Sequence, residues 1–406
     1  DILLNLKIDF AKYLPNNSKF IFTLLYIYLL YRNYKSYCYT TAYTATKDVA
    51  DQTNLSSFYI AESNPAEHDE SCLNRIYTVP SDITTLLMAN TTLELRKQVQ
   101  IFRELGILVR QPAIEMISYL EQTDYTKPVN KYVLYGKSGA GKTTILLHLI
   151  HYGLAKCFFV LHLPWVQNWF RYARDTTISP LEPDKLDLPE SATKWLKYIK
   201  QLNNVSLSQL DLKTTKEYTW SQREVTKPGD SLSDLIEFGI QRTKFACGVI
   251  NALVDELKIA SIAGKCRTLV VIDGFNALTS DITHVRDENR VYVPPDKISI
   301  TSAFLNSVDY NWCNGAAVLT VDKRANRDKR DSDYPKYLLG KKGFEHLDPF
   351  LPICVDEYSV QELETILKYY KDRKWIGNVS PQGQKELELL SNKNPLMLWT
   401  LCKPLY

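Results

Sequence analysis

No stretch of this chain stays apolar long enough to cross a membrane. The longest run, Ile21 to Tyr31 broken only by Thr23, is about 11 residues, against the roughly 20 that a spanning helix needs. Metal-binding and disulfide frameworks are missing too. The eight cysteines (Cys38, Cys72, Cys157, Cys247, Cys266, Cys313, Cys354, Cys402) contain no CxxC pair and no histidine close enough to complete a zinc site, so they read as reduced thiols in a reducing compartment. Net charge is scarce: 49 Lys plus Arg stand against 46 Asp plus Glu, a formal +3. That balance does not exclude an RNA partner, because the distribution of charge over the surface matters more than its sum. The sequence has neither an internal repeat nor a low-complexity tract. It starts at Asp1 rather than Met, which reads as a processed chain or a fragment. The basic residues near that end (Lys7, Lys12, Lys19, Arg32, Lys35) share it with Asp1 and Asp9 and form no Arg-rich amphipathic pattern, so as a mitochondrial presequence it is poor.

What is present is ordinary globular composition over 406 residues, 45% of them hydrophobic, with 26 Tyr, 14 Phe and 7 Trp. So many aromatics exclude a wholly disordered chain. Residues 1–75 read as an irregular N-terminal extension, closed by the polar string Ser63 to Glu70. A helical lead-in over 76–125 follows, with helices expected from Leu93 to Val109 and from Pro112 to Leu120. Residues 126–356 then carry five short, almost continuously apolar segments: Lys131–Tyr135, Cys157–Leu163, Thr268–Ile272, Ala316–Val321 and Pro352–Val355. Strands without alternation, separated by helical stretches, indicate a parallel sheet covered on both faces. Helical pattern in Ala192–Leu202, Ser231–Gly239 and Phe245–Ala260 marks an insertion. Residues 357–406 read as a helical lid, with helices at Val360–Lys371, Gln382–Leu390 and Pro395–Cys402.

The sharpest signal is Gly136-Lys137-Ser138-Gly139-Ala140-Gly141-Lys142-Thr143, a complete GxxxxGK[ST] motif set between a strand and a helix that begins near Thr144. That context is what the chemistry needs, since the amides of a Gly-rich loop and a helix N-terminus together bind phosphate oxygens. Lys142 is expected to reach the β- and γ-phosphates and Thr143 to ligate Mg2+, with Asp273, at the end of the strand Thr268–Ile272, as the second magnesium-side residue. The whole reads as an α/β P-loop nucleotide-binding fold of the AAA+ or STAND kind. After Asp273 comes Gly274-Phe275-Asn276, where many such ATPases have a glutamate base, so weak or absent hydrolysis is expected. Asn276 is a candidate for orienting water, Thr320 for sensing the γ-phosphate, and Pro395 for packing on the nucleotide base. No Asn-Lys-x-Asp loop reads guanine. From Lys323 to Lys342, eight basic residues stand against three acidic ones, with Tyr334 and Tyr337 interleaved. This segment is either a solvated loop or a contact to RNA phosphates or to protein.

The blocks LYGKSGAGKTTILLHLIHYG, VLHLPWVQNW, SATKWLK, VVIDGFNAL, DYNWCNGAAV and LLGKKGFEHLDPFLPICVDEYS resemble the GTP-binding protein of the mitochondrial small ribosomal subunit, the death-associated protein 3 family. The resemblance runs from about Asn74 to Cys402. It implies a matrix protein bound to the mitochondrial ribosome that holds GTP or GDP (ATP being the alternative) with Mg2+. It further implies contacts with small-subunit rRNA and ribosomal proteins, bridges to large-subunit proteins, and a link to apoptosis. Carried over by residue, the phosphate loop is Gly136 to Thr143 and the magnesium-side acid is Asp273. Two other readings stay open: a nucleotide-hydrolysing switch and an apoptotic adaptor that uses the P-loop for a conformational cycle.

Overall fold

A computed structural model describes residues 58–173, 175–327 and 331–403. Most of the extension expected over residues 1–75 therefore lies outside the described residues. Its last part makes two short 3-10 turns, Pro65–Glu67 and Glu70–Cys72. Strand β1 (Ile76–Val79) pairs antiparallel with β2 (Leu105–Leu108), with helices α1 (Ser81–Met88) and α2 (Leu93–Phe102) between them. This corrects the helix expected from Leu93 to Val109. Arg103 turns left-handed at φ 58° and its N–H closes back on the Val99 carbonyl, which frees Leu105 to Leu108 to pair with β1. A short apolar run fits strand or helix equally well until its partner is known. Helix α3 (Gln111–Gln122) starts with Pro112 in its first turn, where the missing N–H costs nothing.

All five expected core strands form: β3 (Asn130–Tyr135), β4 (Phe159–Leu163), β5 (Thr268–Ile272), β6 (Gly315–Thr320) and β7 (Leu351–Cys354). Their order across the sheet is β7-β3-β6-β5-β4, every neighbouring pair parallel. Strands β4, β5 and β6 are buried along their whole length, which is why their sequences run apolar without alternation. Helix α4 (Lys142–Ala155) follows β3 directly. The insertion holds α5 (Pro189–Leu202), α6 (Leu232–Gln241) and α7 (Ala246–Ile262), close to the three helices expected there. Buried Glu256 of α7 anchors the loop before α6 by accepting from the Thr215 and Lys216 amides and the Tyr218 hydroxyl. Helices α8 (Ser299–Asn306) and α9 (Pro335–Leu347) flank β6 in the chain.

The lid consists of α10 (Val360–Asp372), α11 (Pro381–Ser391) and α12 (Pro395–Leu401). Its core is not its own. Leu363, Ile366, Tyr369, Tyr370, Leu398 and Trp399 form one cluster with Ile76 of β1, Phe102 of α2 and Leu108 of β2. The lead-in and the lid are thus one layer, joined by edge-to-face rings such as Phe102 on Tyr369 at 5.4 Å. Among the described residues no helix is long and apolar enough to cross a membrane, and the seven described cysteines are all free.

Leu363→Ala removes a side chain only 1% exposed in that shared cluster and should cost about 2–5 kcal/mol in urea denaturation. Leu389→Ala, at a side chain 80% exposed on α11, should change stability by less than about 0.5 kcal/mol. A second prediction concerns acid. His162 on β4 is buried against the Tyr198 hydroxyl at 2.6 Å, and burial pulls its pKa down to about 3. Below the ordinary histidine value the unfolded chain takes up a proton that the native ring refuses, so stability falls as pH drops. Relative to His162→Gln, the wild type should lose up to about 1.4 kcal/mol per pH unit between pH 6 and 4, measured by urea denaturation across that range.

Candidate functional site

Three strand ends meet at one edge of the sheet: β3 running into the phosphate loop, β5 running into Asp273, and β6 running through Thr320 towards Asp322. Ligands of open parallel sheets bind at this carboxyl edge. The loop's glycines have separate tasks. Gly136 (φ 138°) passes beneath the Val355 carbonyl, where a Cβ would lie 2.2 Å from its oxygen. Gly139 (φ 83°) is pressed by the lid, where a Cβ would meet Asn394 Oδ1 at 2.7 Å and Leu396 Cβ at 2.8 Å. Gly141 (φ 100°) opens α4. Ala140 is fully buried, and Lys137 turns outward to pair with Glu357.

Lys142 is 5% exposed and curls back over its own loop, donating to the Gly136 carbonyl at 2.6 Å and the Lys137 carbonyl at 3.0 Å. Its charge is met by Asp322 at 2.9 Å. Thr143 Oγ1 donates to Asp273 Oδ2 at 2.8 Å, and Thr320 Oγ1 donates to Asp273 Oδ1 at 2.6 Å while accepting from the Gly274 amide at 2.8 Å. Burial raises the Asp273 carboxyl above its ordinary pKa despite these two donors. A cation would reverse that. The Thr143 hydroxyl donates its hydrogen bond to Asp273 and keeps its lone pairs, so the two residues form a hard-oxygen pair suited to Mg2+, which draws its remaining ligands from water and phosphate. A bound Mg2+ would screen phosphate charge here, and Thr143 and Asp273 are the residues that would hold it.

The cavity above the loop encloses about 250 Å³, with Gly139, Gly141, Thr143, Thr144, Asp273, Asp322 and Arg324 on its polar side. Much of its apolar side comes from Leu93 and Leu95 of α2, Tyr369 and Tyr370 of α10, and Pro395, Leu396 and Trp399 around α12. The lid also bonds the loop directly, through Asn394 Nδ2 to the Ser138 carbonyl (3.0 Å) and the Leu396 amide to the Gly139 carbonyl (3.2 Å). Pockets of this composition, mostly apolar with a few convergent polar groups, suit small-molecule and cofactor binding.

The chain segment that carries the phosphate loop, Asp273 and the lid matches known proteins. Residues 107–401 match the family described as mitochondrial ribosomal death-associated protein 3. The chain belongs to this family. It is 35% identical over 346 residues to small ribosomal subunit protein mS29 of Bos taurus, covering 84% of this chain and 86% of the bovine one. It is 34% identical over 350 residues to the protein of that name in Mus musculus, covering 85% and 89%. Among solved structures, the Walker-type ATPase of Pyrococcus abyssi is similar over 71% of this chain and 64% of its own, at 12% identity and a TM-score of 0.36.

Within this family member, Gly139, Gly141, Lys142, Thr143, Thr144, Asp273 and Pro395 line one space, whereas Gly136, Lys137, Ser138 and Ala140 shape the loop behind it. Thr320 and Asn276 do not line it. Thr320 orients Asp273 from behind. Asn276 is fully buried and its amide is held on both sides: its Nδ2 donates to the Asp322 carbonyl (2.9 Å) and Asn326 Oδ1 (2.8 Å), and its Oδ1 accepts from the Asp322 amide (3.1 Å). Both amide hydrogens are used and the side chain is closed off from the cavity, so it is not placed to orient water there.

Three contributors escape a sequence reading. Asp322 lies two residues beyond β6 and invites no motif. Trp165 stands in the block PWVQNW yet shows its place on the cavity wall only in three dimensions. Arg110 is the most connected of all. It donates to Glu362 through Nε (2.8 Å) and Nη2 (3.3 Å), to the Ala140 carbonyl through Nη1 (2.7 Å), and to the Asp356 and Glu357 carbonyls through Nη2 (2.9 and 3.2 Å). Arg110→Met should cost about 3–5 kcal/mol in urea denaturation because it leaves the buried Glu362 carboxylate unpaired. Adding Glu362→Gln to that variant should recover part of the loss.

Proposed function

We propose that this protein is a structural component of the mitochondrial ribosome's small subunit, in the matrix, and that it holds a guanine nucleotide with Mg2+ in the P-loop cavity. The observation that carries the ribosomal reading is the family match over residues 107–401, joined to relatives named as small ribosomal subunit proteins across more than four-fifths of the chain. The nucleotide reading rests on the loop, on the Thr143–Asp273 pair and on a cavity roofed by the same chain. Guanine as the base comes from the family resemblance. A ligand at a hundred times its Kd stabilises the native state by about 2.7 kcal/mol, so an occupied site serves a scaffold without turnover. Contact with rRNA is assigned to the start and surface of α9, where Lys336, Lys341 and Lys342 stand with exposed Tyr334 and Tyr337, a mixture of phosphate-binding and stacking groups. Bridges to large-subunit proteins follow from the resemblance alone.

One observation favours a second reading, that of a nucleotide switch or apoptotic adaptor. The lid bonds directly to the loop, so closure would respond to what the loop holds. Against a hydrolytic cycle, Gly274 stands where a base would be, and Asn276 is occupied elsewhere.

Sedimentation of the endogenous protein from a mitochondrial lysate through a magnesium-containing sucrose gradient should place it with small subunits, and a high-salt wash should leave it there. Recovery at the top of the gradient would overturn the structural reading in favour of a free factor. Lys142→Ala should weaken nucleotide binding by about 1.5–3 kcal/mol, the size of a charge-assisted hydrogen bond, in equilibrium titration of the purified chain. Unchanged affinity would remove the loop from the binding site.

A further inference from the structure

The P-loop lysine is already occupied by an acid that its motif does not call for. Asp322 Oδ2 lies 2.9 Å from Lys142 Nζ. Asp322 Oδ1 accepts from Ser138 Oγ at 2.5 Å, the Arg324 amide at 2.9 Å and Arg324 Nε at 3.3 Å. A cation, a loop hydroxyl, a guanidinium and a backbone amide thus converge on one carboxylate at the cavity wall. This is the set of donors that a terminal phosphoryl group would recruit, since the lysine of such a loop reaches the β- and γ-phosphates.

We propose that Asp322 makes this a nucleoside diphosphate site, its carboxylate standing in for the γ-phosphate and repelling a third phosphate. The proposal deepens the nucleotide reading above and rests on it. Asp322 is only 2% exposed. Its backbone cannot swing away, because its N–H and C=O are both tied to the Asn276 side chain. Burial alone would raise its pKa, but Lys142, Arg324 and Ser138 together hold it below the ordinary carboxylate value, so it stays charged. A diphosphate would share Lys142 with Asp322. A γ-phosphate would bring a second anion onto the same donors beside this buried carboxylate, where like charges at short range are strongly unfavourable. This also gives Asn276 a role. It fixes the backbone of the acid that defines the ligand.

The test is isothermal titration of the purified full chain, in magnesium buffer, with GDP, guanosine β,γ-imidotriphosphate, ADP and adenosine β,γ-imidotriphosphate. Wild type, Asp322→Asn and Asp322→Ser are compared, and only variants with native thermal unfolding are used. In the base series that binds, the wild type should favour the diphosphate by about tenfold or more, and Asp322→Asn should bring the ratio below about threefold, mainly by tightening the triphosphate. A wild-type ratio near one, or a preference for triphosphate, overturns the proposal whatever the variants do. A diphosphate preference that survives in the folded variants overturns the role of Asp322. Binding of none of the four ligands overturns the nucleotide reading itself, and this inference with it.

Discussion

One guanidinium joins the parts that make the site. Arg110 leaves the end of the β1–β2 ribbon, holds the Ala140 carbonyl in the middle of the phosphate loop, takes the carbonyls of Asp356 and Glu357 where the chain exits β7, and ends on Glu362 in the first turn of α10. Glu362 in turn completes a capping box with Ser359, so the acid that neutralises Arg110 also starts the lid. A planar cation with five donors in a fixed fork suits this position better than a lysine, which offers a single point of charge. Loop conformation, lid orientation and the entry angle of α10 therefore share one set of hydrogen bonds. Such pairing contributes geometric definition more than net stability, because removing two charges from water costs nearly what their attraction returns.

The acids around the loop divide the work by environment. Asp273 receives two threonine hydroxyls and is poised for a cation. Asp322 receives a lysine, an arginine and a serine and is poised to remain an anion. They lie at the ends of adjacent strands and are both buried; burial prevails at the first, while at the second Lys142, Arg324 and Ser138 together outweigh it. Opposite outcomes from similar positions are what separate partners produce.

The sheet was legible in the sequence because fully buried strands cannot alternate: TLVVI and AAVLTV announce both their conformation and their depth. The phosphate loop was legible because its glycines serve close approach and positive φ, which few other contexts demand together. Residues acting across the fold were not. Arg110 is one charged residue after an apolar stretch, and its partners come from segments about 30 and 250 positions away. Asp322 looks like any acid after a strand until Lys142 is seen beside it. Thr320 was legible as a polar strand end and misleading as to its partner, since spacing tells which edge a side chain reaches but not which neighbour claims it. The ribbon strand Leu105–Leu108 was hidden for the same reason, its partner lying before two intervening helices.

The layer shared by lead-in and lid bears on the order in which the molecule can be made. Its cluster joins Ile76 to Cys402, so its two halves lie at opposite ends of the described chain. A nascent or partly translocated polypeptide can assemble the ribbon and then the sheet, but it cannot close the roof until the last helix has arrived. Contacts this distant in sequence form late and slowly, and until they do, Ile76, Phe102 and Leu108 lack the lid residues that pack against them. That interval is when an unfinished chain is most exposed to aggregation and to chaperones. The ligand cavity does not exist before it ends.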